Sequence, residues 1–287
     1  MTESVHVIGA TGRSGLTLCR SLLRDRVPVV AVVRDLAKWI AAGLPMEAAR
    51  SADLGDAMAL RAALAGATRV VSCAHARHTQ AIIAAAPESA LLVLLGSTRK
   101  FTRWPDAHGN GVLAGEAALL ASGRPGVMLH PTMIYGAQGE DNVQRLAGLL
   151  RRLPLMPLPG GGRSLVQPIH QSDVARCIRA ALERSWDRPL SVVIAGPAPV
   201  RYADFVRSVA VAAGLRTRLI LPVPTAPLIL AARLTRHLAM LPTVQPEEIR
   251  RLTEDKAFDI APMRALLGVD PIPLTQGLAL TFNHAHE

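Results

Sequence analysis

A doubly wound parallel α/β sheet is predicted by three observations. A β-branched run, Val5–Ile8, ends in glycines at Gly9, Gly12 and Gly15 and passes at once into the helically spaced Leu16, Leu18, Cys19, Leu22 and Leu23. Strand-like and helix-like runs alternate as far as Gly136, the rhythm of repeated βαβ units. The strand candidates are apolar without interruption, as in LLVLL at Leu91–Leu95, which fits a parallel sheet buried on both faces rather than a half-solvated one.

The elements follow in order. Strands are predicted at Val5–Ile8, Val29–Val33, Ala48–Ser51, Arg69–Ala74, Leu91–Leu95 and Val127–His130. Between them, helical spacing covers Arg13–Asp25, Leu36–Ala42, Asp56–Ala65, Thr79–Ala86 and Gly111–Ala121. The rhythm loosens after Gly136. Arg152–Gly162 is rich in proline and glycine and reads as a loop. A strand at Leu165–Ile169 leads to a helix over Ser172–Glu183, for which Ser172 and Asp173 suffice as an N-cap. Further strands are predicted at Ser191–Ala195 and Thr217–Leu221, with a helix over Tyr202–Ala213 between them. Pro222–Leu241 is apolar, broken by prolines, and reads as a lid or core helix pair, with contact to a membrane surface or a partner as the alternative. Two more helical segments close the chain. The expected division is a nucleotide-binding domain over residues 1–136 and a smaller C-terminal α/β lobe over 137–287, intertwined as one unit that forms the substrate cleft.

The glycine turn is the part that points to chemistry. It brings bare backbone N–H groups to a helix N-terminus, where the partial positive charge holds a phosphate. Gly9 permits the sharp turn, Gly12 lets a diphosphate approach, and Gly15 lets the helix pack on the strand. Thr11, Arg13 and Ser14 complete the loop. A dinucleotide cofactor is therefore expected. Arg34 ends the second strand at the spacing of about 20 residues where such sites read the ribose. A carboxylate there favours NAD; a guanidinium offers a planar fork of donors to the 2′-phosphate of NADP, with Arg13 as a second cation. The cofactor expected is NADP rather than NAD.

Composition narrows the classes. At 287 residues, 50% hydrophobic and 19% charged, the chain supports a large core. No apolar run reaches the roughly 20 residues that span a bilayer, and no basic segment precedes an apolar one at the N-terminus as in a secretory signal. Cys19, Cys73 and Cys177 are scattered and odd in number, which fits buried thiols in a reducing cytoplasm. The net charge of +10 is carried almost wholly by arginine, but at 3% aromatics there is no platform for base stacking, so nucleic acid is not an expected partner. A small-molecule substrate or effector is.

Short motifs in a shared order resemble the atypical and extended short-chain dehydrogenase/reductases. The chain is similar to their NAD(P)-binding NmrA-like branch and to bacterial relatives of the accessory subunit of respiratory complex I. GATGRSG at Gly9–Gly15 resembles the family's phosphate loop on its Rossmann fold, and VVRD at Val32–Asp35 the second-strand end of NADP-preferring members. ADL at Ala52–Leu54 resembles the pair beside the adenine, which implies cofactor contacts at Asp53 and Leu54. The end of the fourth strand, Cys73 and Ala74, flanks the cofactor on this resemblance. LLGST at Leu94–Thr98 resembles the strand end carrying a Ser, here Ser97, and HPTMIYG at His130–Gly136 the loop beside the nicotinamide, with Pro131 as the contact. VQPIHQSDVA at Val166–Ala175 and EDKAFD at Glu254–Asp259 match the substrate lobe. His130 stands where the family usually has Arg.

The resemblance implies acid–base work by a Tyr and a Lys four residues later, the Lys lowering the Tyr pKa. The chain has two tyrosines, Tyr135 and Tyr202, followed at that spacing by Gly139 and Val206, and the stretch His108–Glu116 that should carry the dyad has neither residue. Replacement candidates are Ser97, His75 and Tyr135, with His78 beside His75 and Lys100 at the pocket mouth. Each has a plainer role: Ser97 as a strand-end hydroxyl, Lys100 as a solvated cation, Tyr135 as loop support. Cys73, His75 and His78 lack a fourth ligand for a metal. Met128, Met133 and Met156 fit a pocket lining or plain core filling. Three functions are open: a reductase of a small carbonyl, quinone or alkene acceptor that dispenses with the dyad, a non-catalytic NADP-binding redox sensor or assembly protein, and a sugar-nucleotide epimerase or dehydratase. The last suffers most from the missing tyrosine.

Overall fold

The computed structural model describes residues 4–137, 141–235 and 246–283. The first half builds β1 (Val5–Ile8), α1 (Arg13–Arg24), β2 (Val29–Val33), α2 (Leu36–Ala41), β3 (Ala49–Ser51), α3 (Ala57–Ala63), β4 (Arg69–Ser72), α4 (Thr79–Ala85), β5 (Leu91–Leu95), α5 (Ala107–Ser122) and β6 (Gly126–Pro131). The rest adds β7 (Ile134–Tyr135), α6 (Asp141–Arg152), β8 (Leu155–Pro159), β9 (Leu165–Val166), β10 (Ile169–His170), α7 (Gln171–Leu182), β11 (Leu190–Ile194), β12 (Val200–Arg201), α8 (Tyr202–Ala212), β13 (Leu219–Val223), α9 (Thr225–Thr235), α10 (Pro246–Arg251), α11 (Ala261–Leu267) and α12 (Leu274–Asn283).

Seven parallel strands form the main sheet in the order β11-β6-β5-β4-β1-β2-β3. The chain runs outward from β1 to β3, then returns to place β4 on the other side of β1. The carboxyl ends of β1 and β4 thus flank the point where the strand order reverses, where open sheets of this kind bind ligands. The seventh strand, β11, comes from beyond residue 136.

The uninterrupted apolar strands are explained by two cores. Val7, Val71, Val93 and Leu129 face α1, α7 and α11, where Leu18, Ile178 and Met263 meet them. Ile8, Val70, Leu92 and Met128 point the other way, onto Leu60 of α3, Ile82 of α4 and Leu119 of α5. A third core joins Leu146 and Leu150 of α6, Leu158 of β8, Phe205 of α8 and Leu278 of α12.

Several boundaries differ from expectation for local reasons. Helix α5 begins at Ala107 instead of Gly111, because Asp106 caps it by accepting from Gly109 N at 2.8 Å. The stretch read as a loop holds β8, which pairs in parallel with β13. Its prolines are tolerated because a two-stranded sheet has only edge strands, which need no N–H on the outer side. The strand expected over Leu165–Ile169 is split at Gln167–Pro168, so that β9 pairs with β12 and β10 with β7. The expected strand Thr217–Leu221 is shifted to β13. At the start of α7 the cap is His170, whose Nδ1 accepts from Ser172 N at 3.3 Å. Asp173 is buried instead, accepting from Arg176 Nη1 at 2.8 Å and Ile272 N at 3.0 Å. Of the apolar segment Pro222–Leu241, α9 is helical and residues 236–241 lie outside the described residues. Among the described residues no helix is long and apolar enough to cross a membrane.

Candidate functional site

The glycine turn has the geometry a dinucleotide phosphate requires. Gly9 takes a left-handed φ of 73°, and Gly15 lies so close beneath it that a Cβ there would stand 2.2 Å from Gly9 O. Helix α1 starts at Gly12 with no side-chain cap, so its first amides remain available to an anion. Thr11 and Ser14 are half-buried, whereas Arg13 and Arg34 are exposed at the loop and at the end of β2. Asp35 caps α2 through Ala37 N and Lys38 N. Asp53 follows β3 and accepts from Gly55 N at 2.7 Å, with Leu54 half-buried beside it.

The turn also touches the end of β4: a Cβ on Gly9 would lie 3.2 Å from the Cys73 carbonyl carbon and 3.1 Å from Ala74 N. From there the carboxyl edge continues over β5 to Ser97 and over β6 to Pro131. Three strand spacings separate β1 from β6, on the order of 14 Å, enough for one half of an extended dinucleotide. The residues expected to bind the cofactor therefore lie along one edge of the sheet.

A cavity of about 740 Å³ opens at the β5–β6 end. Ser97 and Thr132 line it beside Met133, and Met156 lies on its wall, whereas Met128 is in the core. Ser97 Oγ accepts from Arg99 N at 3.1 Å, and Thr98 Oγ1 donates to Pro131 O at 3.2 Å. The catalytic candidates separate here. Tyr135 is 1% exposed and absent from the cavity lining; its ring packs edge-on against His170 at 5.3 Å, over a Gly277 that leaves room for the hydroxyl. Burial pushes its phenol pKa up, away from acid–base use. His75 caps a turn by accepting from Arg77 N at 3.1 Å, and His78 accepts from Arg77 Nε at 3.0 Å.

His108 lines the cavity, and sequence reasoning missed it. It stands in the first turn of α5, edge-on to His75 with ring centroids 4.3 Å apart. Burial and the nearby Arg99 lower its pKa, with Asp106 opposing. The available signal was its position at the start of the helix that should have carried the missing dyad.

Lys100 corrects the expectation of a solvated cation. Its side chain is 9% exposed and its Nζ lies 2.5 and 2.7 Å from the carboxylate oxygens of Glu116 on α5. Glu116 also accepts from Ser191 Oγ on β11. His130, fully buried on β6, joins them, with Nε2 3.3 Å from Glu116 Oε1 and 3.4 Å from Lys100 Nζ. Ser97 N donates to His130 Nδ1 at 3.1 Å, so the ring proton sits on Nε2 and faces the carboxylate. Burial and the neighbouring Lys100 lower the imidazole pKa to about 4, so it is neutral at pH 7. Burial opposes ionisation of Glu116, but its bonds to Lys100 and Ser191 prevail and hold the carboxyl below its ordinary range. The cluster fixes the backbone under Ser97 and ties the Lys100 ammonium to Glu116.

Residues 9–110 match the model of a family described as NAD(P)H-binding. No curated protein matches the chain. Among solved structures, the UDP-glucuronic acid 4-epimerase of Bacillus cereus, in complex with UDP-glucuronic acid and NAD, is 16% identical with a TM-score of 0.74, covering 99% of each chain. An NADPH-dependent quinone oxidoreductase from Escherichia coli is 18% identical with a TM-score of 0.71, covering 99% of this chain and all of its own. A nucleoside-diphosphate-sugar epimerase from Pseudomonas aeruginosa is 18% identical with a TM-score of 0.72, covering 99% and 97%. At these identities the likeness is one of fold.

Proposed function

With an NAD(P)H-binding domain over residues 9–110 and a Rossmann-type fold over the whole chain, we propose that the protein is an NADP-dependent reductase of a carbonyl, quinone or activated alkene. On this reading the diphosphate lies on the uncapped start of α1, and Arg34 and Arg13 take the 2′-phosphate. Asp53 and Leu54 flank the adenine; Cys73, Ala74, Ser97 and Pro131 flank the nicotinamide half. The observation that carries the reading is that the glycine turn and the cavity share one sheet edge, with Ser97 at the junction.

The bound cofactor supplies the hydride. What remains for the chain is to hold the acceptor in the cavity, keep water from it and give a proton to its oxygen. His108 is the residue placed for that last step, since Lys100 is locked to Glu116 and Tyr135 is buried. Neither Tyr135 nor Tyr202 is followed by a Lys four residues on, and without that pair to take a proton from a sugar hydroxyl, reduction is favoured over epimerisation. The same locked Lys100 supports a second reading, a non-catalytic NADP-binding protein.

NADPH oxidation over a panel of quinones, enones and aldehydes separates the two. The reductase reading expects at least one acceptor turned over at roughly 1 per second or faster. It also expects His108→Gln to lower that rate about a hundredfold. Because its pKa lies below the ordinary histidine value of 6.5, His108 acting as an acid should make native activity fall as pH rises through the acidic range below that value, a limb missing from the variant. Absence of turnover across the panel would leave only the binding protein.

A further inference from the structure

Two chemically unlike sets of residues in the cavity lining matter here, beside the carboxylates Glu248, Glu254 and Asp255 and several neutral polar side chains. One is apolar: Leu146, Leu149 and Leu153 of α6, Met156 and Leu158 of β8, and Phe205 of α8. The other is cationic: Arg99, Arg251 and Lys256. The anions near these cations are largely committed. Arg99 Nε and Arg251 Nη1 lie 2.8 and 3.6 Å from the same oxygen of Asp106, so one carboxylate serves two guanidiniums. The buried Glu254 accepts from Thr102 Oγ1 at 2.8 and 3.0 Å and from Arg103 N at 2.7 Å. Lys256 makes no ion pair among the described residues, and Glu254 acts on it only through space.

Lys256 is also held in place. Its backbone N donates to Leu165 O at 2.8 Å, Asp255 Oδ1 accepts from Leu165 N at 2.8 Å, and Phe258 N donates to Gln167 Oε1 at 2.7 Å. These bonds and those of Glu254 fasten residues 254–258 across the cavity wall as a strap. The backbone that carries Lys256 is thus fixed before any ligand arrives, and burial partly desolvates the ammonium and lowers its pKa. A cation in that state gains most from a charged partner, because little ordering remains to be done and the local dielectric is low.

We propose that this cavity binds an amphipathic acid, its apolar body against α6 and β8 and its carboxylate or phosphate head at Lys256 and Arg251. The inference rests on the reading of the cavity as the acceptor site and names the class of acceptor. A cavity of this volume suits a ligand of drug-like size.

Calorimetric titration of the full chain, with and without saturating NADP, tests it using decanoate, decyl phosphate, decanol and UDP-glucose. At least one of the two acids is expected to bind about tenfold more tightly than decanol, the scale of a charge-assisted hydrogen bond. Which acid is preferred identifies the head group. Lys256→Gln should abolish the preference while leaving decanol and NADP binding unchanged. Met156→Glu should weaken acids and alcohol alike. Equal binding of acids and alcohol, a preference that survives Lys256→Gln, or tighter binding of UDP-glucose would overturn the proposal. Any of these with NADP still bound leaves the reductase reading standing; loss of NADP binding by the native chain would sink that reading instead.

Discussion

His130 shows how far one residue departs from what its position in the sequence suggests. Where relatives are expected to carry an arginine, this chain has an imidazole with no exposed surface, neutral, donating toward Glu116 and accepting from Ser97 N. Its pKa is about 4 in the fold and near 6.5 in the unfolded chain, so between those values the unfolded state binds more protons. Stability should therefore be full above about pH 6.5 and fall as the pH drops toward 4, by about 3 kcal/mol from this group. Urea midpoints across that range should show the loss, and His130→Gln, though less stable at neutral pH, should show a shallower slope. A flat native profile would contradict the assignment. None of this was legible in the sequence. His130, Lys100, Glu116 and Ser191 lie on a strand, a turn, a helix and the seventh strand, and only the sheet order brings them together.

Among the elements, α1 and the strands of the nucleotide half were legible because their signals are local. Glycines mark the turn, and unbroken apolar runs mark strands buried on both faces. Elements whose signal is tertiary were not. Helix α5 begins at Ala107 rather than at the expected Gly111, because the Asp106 cap starts it a turn earlier and carries it through Gly109. Strand β8 was hidden by its prolines and α6 by the change of rhythm after Gly136. The strap over 254–258 has no regular structure at all; what holds it is the list of bonds to Leu165, Gln167, Thr102 and Arg103. Glu254→Ala would leave Arg103 N and Thr102 Oγ1 without their acceptor, at a cost of about 2 kcal/mol. Lower thermal stability and faster hydrogen exchange at Arg103 and Lys256 are expected, with α1 and the glycine turn unaffected. Uniform loosening of the whole chain would mean that the strap is not a separable wall of the cavity.

At the scale of the molecule, the division of labour follows from the sheet. Its order reverses at β1, which sets the glycine turn at the switch point, and its other side ends in β6 and β11, over which α6, α8 and the strap build the cavity. The fold class and the sheet edge that carries the glycine turn could be read from the sequence, since both follow from periodicity and glycine spacing. The cavity could not, because its walls come from segments far apart in the chain and its cations are scattered among many arginines on a protein of net charge +10. The account stands on the claim that the glycine turn and Arg34 together bind NADP. Dissociation constants for NADPH and NADH, measured on the native chain and on Arg34→Ala, test this most directly. The native chain should prefer NADPH, and the variant should lose at least about tenfold in NADPH affinity while NADH binding stays within about twofold. Equal loss for both cofactors, or no binding of either by the native chain, would contradict it.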